Sequence, residues 1–247
     1  MSLDVIIQNP ALSQKWIERE KKANEAYFRD HPDSFLIPFS KNLRDLGFQF
    51  ETTNQITSFM PKYKTLILPL AQKYYLLARD QRKSNEQDYF LSFFHYKGLD
   101  DFVPFLLAEY ESPSTPELTR WYLSDSIYSI RSSRYTDDYL KIVQNPAFGQ
   151  NRQLIVLLLG KMKVEKAIPT LISLLEDETV CLQAIDALGQ FKKEEFRSLF
   201  KRFENSSHPG WRKYSRIAIQ KLDRAAEKKS AANLKTKSKE EDHENKH

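Results

Sequence analysis

A repeated three-residue pattern constrains this chain of 247 residues more than any other feature of its sequence. Leu-Leu-Gly at 158–160 recurs as Ala-Leu-Gly at 187–189, so that the two glycines lie 29 residues apart. A period of this size is typical of proteins in which helical hairpins stack one on the next. The repeat therefore predicts an all-α fold of the solenoid type.

Four predicted helices begin with a matching pair of residues. The pairs are Thr119-Arg120, Asn151-Arg152, Val180-Cys181 and Trp211-Arg212. Each pair precedes a block of small or apolar residues, and successive pairs lie 32, 29 and 31 residues apart. Because the helix starts and their spacing both recur, the sequence predicts at least four copies of one helical hairpin.

One of these copies resembles the HEAT-repeat superfamily, in the bacterial HEAT-like form first noted in phycobilin lyases. The segments AIPTLISLLEDETV and CLQAIDALG carry the resemblance, with Pro169 at the family's proline position and Asp177 at its turn acid. The family's arginine position is occupied by Arg120, Arg152 and Arg212, and Cys181 departs from it. The stretch LRDLGFQFETTNQITSFMPKYKTLILPLAQ is also similar to the entry segment of bacterial HEAT-repeat proteins. The resemblance implies a right-handed α-solenoid of about five to six HEAT-like hairpins, and a fold rather than an activity.

The sequence predicts three parts: an N-terminal helical arm over 1–32, the HEAT-like α-solenoid over 33–222, and a charged tail over 223–247. The last 25 residues contain one leucine and many charged residues. Such a segment cannot bury enough apolar surface to offset the loss of chain entropy. We therefore expect the tail to be largely disordered past about Glu227.

Two local patterns in the first half of the chain predict specific geometry. Ser84 and Gln87 have the spacing of a capping box, in which the serine hydroxyl and the glutamine side chain satisfy free amides at the start of a helix. Upstream, helical spacing relates Leu66, Leu70, Tyr74 and Leu77. They predict the inward face of an amphipathic helix.

Charge and composition indicate the cellular compartment of the chain and the kinds of partner that it can bind. The formal net charge of +5 is a weak basic excess, which is compatible with nucleic-acid affinity without requiring it. The longest apolar run, Leu154–Leu159, is far shorter than the roughly 20 residues that span a bilayer. The N-terminus does not have the pattern of a secretory signal, and a single cysteine cannot form an internal disulfide. We expect a cytoplasmic chain that does not bind membranes.

The sequence carries no signature of a catalytic, cofactor or metal site. It contains no GxGxxG, GxxxxGK[ST], GxSxG or HExxH motif, and its five histidines are dispersed. Cys181 lies at a predicted helix start with no histidine in its repeat, which predicts a buried cysteine rather than a nucleophile. The acidic pairs Asp100-Asp101, Asp137-Asp138 and Glu194-Glu195 stand at predicted helix starts, where carboxylates complement the helix dipole. The residues therefore predict no cofactor and favour a chain without catalytic activity.

The candidate partner-binding groove consists of residues near the starts of the second helices. Its members are Arg120, Trp121, Arg152, Gln153, Val156, Gln183, Asp186, Trp211, Arg212, Lys213 and Tyr214. Arginines beside aromatic rings can hold phosphates and stack on bases. The same arginines can instead bond carbonyls and carboxylates of neighbouring turns and so lock adjacent repeats together. The sequence leaves both interpretations open.

Two functions follow from these expectations. The first is a non-catalytic protein-interaction scaffold or adaptor, in which a monomeric chain binds a protein partner on the concave face of the solenoid. The alternative is a nucleic-acid-binding protein, because the HEAT-like alkylpurine DNA glycosylases hold duplex DNA on the concave face of a similar solenoid. The resemblance to phycobilin lyases makes a bilin lyase a further alternative, although no residue here specifies a chromophore site.

Overall fold

All regular secondary structure in the described part of the chain is helical. A computed structural model describes the backbone of residues 10–244 and the side chains of residues 14–231. These residues form twelve α-helices joined by turns and short 3-10 helices, with no strand among them. The predicted all-α class is therefore confirmed. The chain divides into two compact units, the first ending at Ile130 and the second beginning at Arg131.

The first unit contains six of the α-helices. They are α1 (Pro10–Asp30), α2 (Leu36–Asp45), α3 (Met60–Asp80), α4 (Ser84–Leu91), α5 (Val103–Glu111) and α6 (Glu117–Ile130). The 3-10 helices of this unit are Thr53–Phe59, Ser92–Phe94 and Asp100–Phe102. Helix α3 packs on α2 and α4, and α6 packs on α4 and α5.

Aromatic side chains fill the centre of the first unit. The buried Phe39 ring makes edge contacts with Tyr74, Phe90 and Phe93, at centroid distances of 5.7, 5.1 and 5.5 Å. Rings in this arrangement contribute attraction beyond the apolar area that they bury. The aromatic residues of α2, α3 and α4 therefore hold these helices in one core.

The inward face of α3 differs from the predicted one. Leu66 and Leu77 are exposed, whereas Ile67, Tyr74 and Ala78 are buried. The buried stripe keeps the helical spacing but is rotated by about one residue. The prediction is therefore right at Tyr74 and wrong at Leu66 and Leu77. Leu, Ile and Tyr occur on both sides of this helix, so apolar identity alone does not select one side.

The predicted capping box at the start of α4 is also wrong. Lys83 occupies the N-cap position, and no side-chain hydrogen bond caps the helix. A capping box needs its two residues at the N-cap and at the third helical position. Ser84 and Gln87 each lie one position too far along the helix. The Gln87 amide consequently does not cap the main chain.

The second unit contains the other six α-helices. They are α7 (Thr136–Gln144), α8 (Gln153–Lys161), α9 (Ile168–Ser173), α10 (Cys181–Phe191), α11 (Arg197–Lys201) and α12 (Pro209–Glu244). The 3-10 helices are Ser133–Tyr135, Pro146–Arg152, Glu165–Ala167, Leu174–Glu176 and Glu194–Phe196. The helices pack in consecutive pairs, α7 with α8, α9 with α10 and α11 with α12, and α10 packs on both α8 and α12.

The glycines of the repeated pattern mark where α10 meets its two neighbours. A Cβ atom placed on Gly160 would lie 2.3 Å from the Cα atom of Ala187. A Cβ atom placed on Gly189 would lie 3.1 Å from the Cβ atom of Ala218. The same glycine-to-alanine contact thus joins α8 to α10 and α10 to α12. The 29-residue period therefore reflects close helix packing.

Helix α12 continues beyond the packed part of the unit. Leu222 is the last buried residue among the described side chains, and none from 223 to 231 is buried. The sequence predicts disorder past about Glu227, whereas the backbone is helical to Glu244. Ala, Lys and Glu dominate this segment and are strong helix formers. The helical extension therefore depends on local propensity and not on packing.

A basic residue in the left-handed conformation follows the end of each of four helices. Arg82, Arg131, Lys163 and Lys192 have φ angles of 57°, 57°, 52° and 56° and follow α3, α6, α8 and α10. Glycine usually occupies this position, because a Cβ atom there costs about 1 kcal/mol. A positive side chain partly offsets that cost, since it faces the negative end of the helix dipole.

Replacing Lys192 by glycine is expected to stabilise the second unit. Glycine adopts the φ angle of 56° without a Cβ clash, so the free energy of unfolding should rise by about 0.5–1 kcal/mol. Urea unfolding measures the change. Lys192→Ala is the matched control, because it removes the charge and keeps the Cβ atom. An equal gain in both variants would assign the effect to the lysine side chain instead of the backbone.

Candidate functional site

Arg152 of the predicted groove lies inside the protein. Its side chain is only 2% exposed. The guanidinium donates from Nε to the Gly149 carbonyl at 3.0 Å and from Nη1 to the Val143 carbonyl at 3.1 Å. Nη2 donates to Asp177 Oδ2 at 2.7 Å and to Thr179 Oγ1 at 2.8 Å. Arg152 therefore ties the turn before α8 to the turn before α10.

The other two arginines at this position also bond to the main chain. Arg120 donates from Nε to the Tyr110 carbonyl at 2.9 Å and from Nη2 to the Ser112 carbonyl at 3.0 Å. Arg212 donates from Nη1 to two consecutive carbonyls, those of Ser206 and Ser207, at 2.6 and 2.9 Å. In each case the carbonyls belong to the segment that precedes the arginine's own helix. The contacts favour the interpretation in which these arginines connect neighbouring turns.

The Cys181 thiol lies in surroundings that disfavour its thiolate form. Cys181 is buried at the start of α10. Burial, reinforced by the nearby carboxylate of Glu176, raises the pKa of the thiol to about 12. A thiol with that pKa is protonated at neutral pH, whereas only the thiolate reacts. The prediction of a buried cysteine is confirmed.

The acidic pairs of the second unit form ion pairs with basic residues. Lys166 Nζ lies 2.6 Å from Asp137 Oδ1, and this hydrogen bond lowers the pKa of the Asp137 carboxyl. Glu194 pairs with Arg197, whose guanidinium likewise lowers the pKa of the Glu194 carboxyl. Both carboxylates are thus held in the charged form by a cation. Among the described residues, no three His, Cys, Asp or Glu side chains are arranged to hold a metal ion.

Val156 does not line a groove, which corrects one member of the predicted set. Its side chain is 0% exposed, because it points into the second unit. Gln153 is partly exposed, and its Nε2 donates to the Thr179 carbonyl at 2.9 Å. Trp211 stacks on His208 at a centroid distance of 4.8 Å. In the first unit, Trp121 is 42% exposed.

Equivalent pairs of partly exposed residues lie on the three long helices of the second unit. Each helix contributes two side chains three positions apart, and the pairs are displaced by 29 and 31 residues along the chain. We call this set the α8–α10–α12 face, and it consists of Leu154, Leu157, Gln183, Asp186, Tyr214 and Ile217. Because α10 packs on both neighbours through the same glycine contact, residues in the same register lie at equivalent places on adjacent helices.

The α8–α10–α12 face is mostly apolar and aromatic, and its one charge is paired. Asp186 Oδ1 accepts from Lys221 Nζ at 2.9 Å and from Gln190 Nε2 at 3.1 Å. Both partners lie on the same packed helices, so the carboxylate is neutralised within the second unit. Lys213 lies beside the Tyr214 ring, with Nζ at 5.9 Å from the centroid. The face therefore combines aliphatic, aromatic and polar groups without an excess of positive charge.

The sequence predicted half of this face, placed the two residues of α8 one position too early and missed Ile217. Gln183, Asp186 and Tyr214 belong to it, whereas the residues predicted on α8 were Gln153 and Val156. The 29-residue spacing of the two glycines would have identified the residues on α8. Applied to Gln183, it gives Leu154 as the equivalent position.

No helix in the described residues has both the length and the apolar character that a membrane crossing requires. The chain was compared with family models, with curated proteins and with solved structures, and none of them matches it.

Proposed function

We propose that the chain is a non-catalytic protein-interaction module of the HEAT-like α-solenoid type, and that the α8–α10–α12 face binds its protein partner. The proposal rests on one observation: the residues of this face occupy equivalent positions on α8, α10 and α12. Three neighbouring helices, α8, α10 and α12, present partly exposed side chains at matching positions while their inner residues are packed. Stacked helices with this arrangement provide an extended surface for a partner.

The composition of the face suits a protein partner. Leu154, Leu157 and Ile217 give apolar area that a partner can cover, and Tyr214 is of a type enriched at interfaces. Gln183 supplies a polar group able to donate and accept hydrogen bonds. The face thus combines apolar and aromatic side chains on α8 and α12 with polar groups on the central helix α10.

The contacts of the arginines do not support the nucleic-acid alternative. Affinity for nucleic acid comes mainly from Lys and Arg groups that neutralise phosphates. Arg152 is buried, and Arg120 and Arg212 donate to the protein's own carbonyls. These bonds within the protein support a protein partner over nucleic acid, as does the α8–α10–α12 face, whose six residues include no cation.

Site-specific photo-crosslinking in cells of the source organism tests the proposal. A benzophenone amino acid is placed at Leu157 or Tyr214 on the face and, as a matched control, at Ser198, an exposed residue of α11. We expect a discrete protein adduct from the two face positions and none from Ser198. The added change Leu154→Glu should reduce the adduct at least tenfold, because it buries a charge in the interface, and should leave the thermal unfolding temperature unchanged.

Two results would contradict the proposed function. Adducts that disappear on nuclease treatment would show nucleic acid as the partner. Equal labelling from all three positions would show that the face does not bind selectively. Circular dichroism of each purified variant confirms that the helices are intact.

A further inference from the structure

Apolar side chains that are exposed to solvent are concentrated on α2 and α3 of the first unit. Of the seven large apolar residues that are exposed among the described side chains, four lie on these two helices or on the turn after α2. They are Ile37, Leu46, Leu66 and Leu77. Helices α2 and α3 also pack on each other. Single exposed apolar residues are ordinary, whereas a group of them on adjoining helices marks a surface that a partner covers.

Leu46 and Leu66 line the same open depression, which has a volume of about 350 Å³. We call it the α2–α3 depression. The other large side chains that line it are the aromatic rings of Phe48, Phe59 and Tyr63. The Phe48 ring makes edge contacts with the other two, at a centroid distance of 5.2 Å in each case. Depressions lined by apolar and aromatic side chains accept the apolar anchor residues of protein partners.

The charge of α2 and α3 favours an acidic partner. Residues 36–80 contain six basic and three acidic residues, whereas the rest of residues 1–130 contains nine basic and fourteen acidic ones. Two of the three acids are already paired, Glu51 with Lys21 of α1 and Asp80 with Arg79. No ion pair between described residues includes four of the basic residues, which are Lys41, Arg44, Lys62 and Lys73. Positive charge is therefore in excess on these two helices.

Two of the four cations lie at the border of the α2–α3 depression. Lys62 Nζ lies 5.1 Å from the centroid of the Tyr63 ring, which lines the depression. The Cζ atom of Arg44 lies 4.6 Å from the centroid of the Phe50 ring, and both residues line an adjoining depression that shares part of its lining with the first. A ring orients a cation without neutralising its charge. Both cations therefore remain able to attract carboxylates of a partner.

A protein segment suits this site better than a bilayer or nucleic acid does. A bilayer surface is flat and does not enter a depression, and phosphates have no use for an apolar floor. We propose that the α2–α3 depression binds an acidic segment of a protein partner. The segment inserts an apolar side chain between Leu46 and Leu66 and places carboxylates beside Arg44 and Lys62. This site belongs to the first unit and is independent of the function proposed for the α8–α10–α12 face.

Selection from a phage-displayed library of random peptides, with the immobilised full chain as bait, tests the proposal. We expect the selected peptides to contain several Asp or Glu residues beside a Leu, Phe or Trp. Fluorescence anisotropy then measures the affinity of a labelled selected peptide for the full chain. Lys62→Glu and Leu66→Ser should each weaken its binding about tenfold or more, because the first change repels the acidic groups and the second removes apolar contact.

Two variants elsewhere in the first unit are the matched controls. Lys97→Glu and Leu118→Ser change exposed residues of the same types outside the depression, so that the affinity should stay unchanged. All four substituted residues are exposed, so every variant is expected to fold, and thermal unfolding checks this. Raising the salt concentration from about 0.1 to about 1 M should weaken the wild-type complex, since salt screens the attraction between exposed charges.

The same measurements contain the results that would overturn the inference. Selection of no peptide, or of peptides without acidic residues, would remove the site for an acidic segment. Binding that survives both Lys62→Glu and Leu66→Ser would place the peptide elsewhere, and its loss in Leu154→Glu would identify the α8–α10–α12 face and leave the proposed function standing. Displacement of the peptide by vesicles of phosphatidylserine and phosphatidylcholine, or by duplex DNA, would assign the basic surface to a membrane or to nucleic acid instead.

Discussion

Replacing Arg152 by methionine is expected to destabilise the second unit by about 3–5 kcal/mol. The change keeps the length of the side chain and removes the guanidinium. The carbonyls of Val143 and Gly149 would lose their donors, and Asp177 would lose the cation that lies 2.7 Å away. Buried acceptors without partners carry the full cost of removal from water.

The unfolding of the second unit can be followed separately. Trp16 and Trp121 are replaced by phenylalanine, so that the fluorescence of Trp211 reports urea unfolding of the unit that contains it. Arg202→Met is the matched control. Arg202 also pairs with a carboxylate, that of Glu176 at 2.6 Å, but the pair is exposed and should contribute less than about 1 kcal/mol. Similar losses in the two variants would show that the burial of Arg152 has no special importance.

The contact between Arg152 and Asp177 should also affect the stability of the second unit at acid pH. Burial raises the pKa of the Asp177 carboxyl, but hydrogen bonds from Thr179 and Arg152 outweigh it and hold the pKa below its ordinary value. A carboxyl with a lowered folded-state pKa stabilises the fold above the unfolded-state value of about 4, and this stabilisation is lost as pH falls through the folded-state pKa. The loss of stability below about pH 4 should therefore be smaller in Arg152→Met than in the wild type.

Gly160→Ala should be the most damaging single-methyl substitution at the helix contacts. The new Cβ atom would lie 2.3 Å from Ala187 Cα and 2.7 Å from the Ala187 carbonyl oxygen. Because these atoms belong to the backbone of α10, the two helices must separate. We expect a net loss of about 2 kcal/mol, since overpacking costs about 1–3 kcal/mol or more and alanine returns up to about 1 kcal/mol of helix propensity.

Gly189→Ala provides the matched comparison at the next helix contact. Its Cβ atom would meet the Cβ atom of Ala218 at 3.1 Å, a side-chain contact that small shifts can relieve. We expect a change within about 1 kcal/mol of zero, because the clash and the gain in helix propensity oppose each other. Adding Ala218→Gly should relieve this contact. Adding Ala187→Gly to Gly160→Ala should rescue little, because the Ala187 backbone remains in place.

Most of the helices could be predicted, because the apolar spacing and the prolines that favour a helix lie within the segment that forms it. Helix α1 begins at Pro10, a residue type that suits the first position of a helix, and α2 ends two residues before Gly47. The buried side of α3 was not predictable in the same way. Leu66 and Ile67 are equally apolar, and only packing against α2 and α4 places Ile67 inside. The stacking of hairpins beyond these pairwise contacts stays a prediction.

The candidate sites could be predicted from the sequence less well than the helices. The sequence left open whether Arg152 binds a phosphate or neighbouring turns, because either function uses the same donors. The bonds to Val143, Gly149 and Asp177 decide the question, and two of these partners are main-chain groups that no sequence pattern identifies. Similarly, Ser84 and Gln87 matched a capping pattern, and only the placement of Lys83 at the N-cap shows that they do not cap the helix.

The outer side of α12 has a consequence for assembly. This helix buries Ser215, Ala218 and Leu222, whereas its described outward residues include Lys213, Arg216, Gln220 and Arg224, all hydrophilic. In an array of stacked hairpins, a terminal helix with apolar residues on both sides would invite another molecule to add and so to build a filament. The described hydrophilic residues on the outer side of α12 therefore give another molecule little apolar surface on which to add.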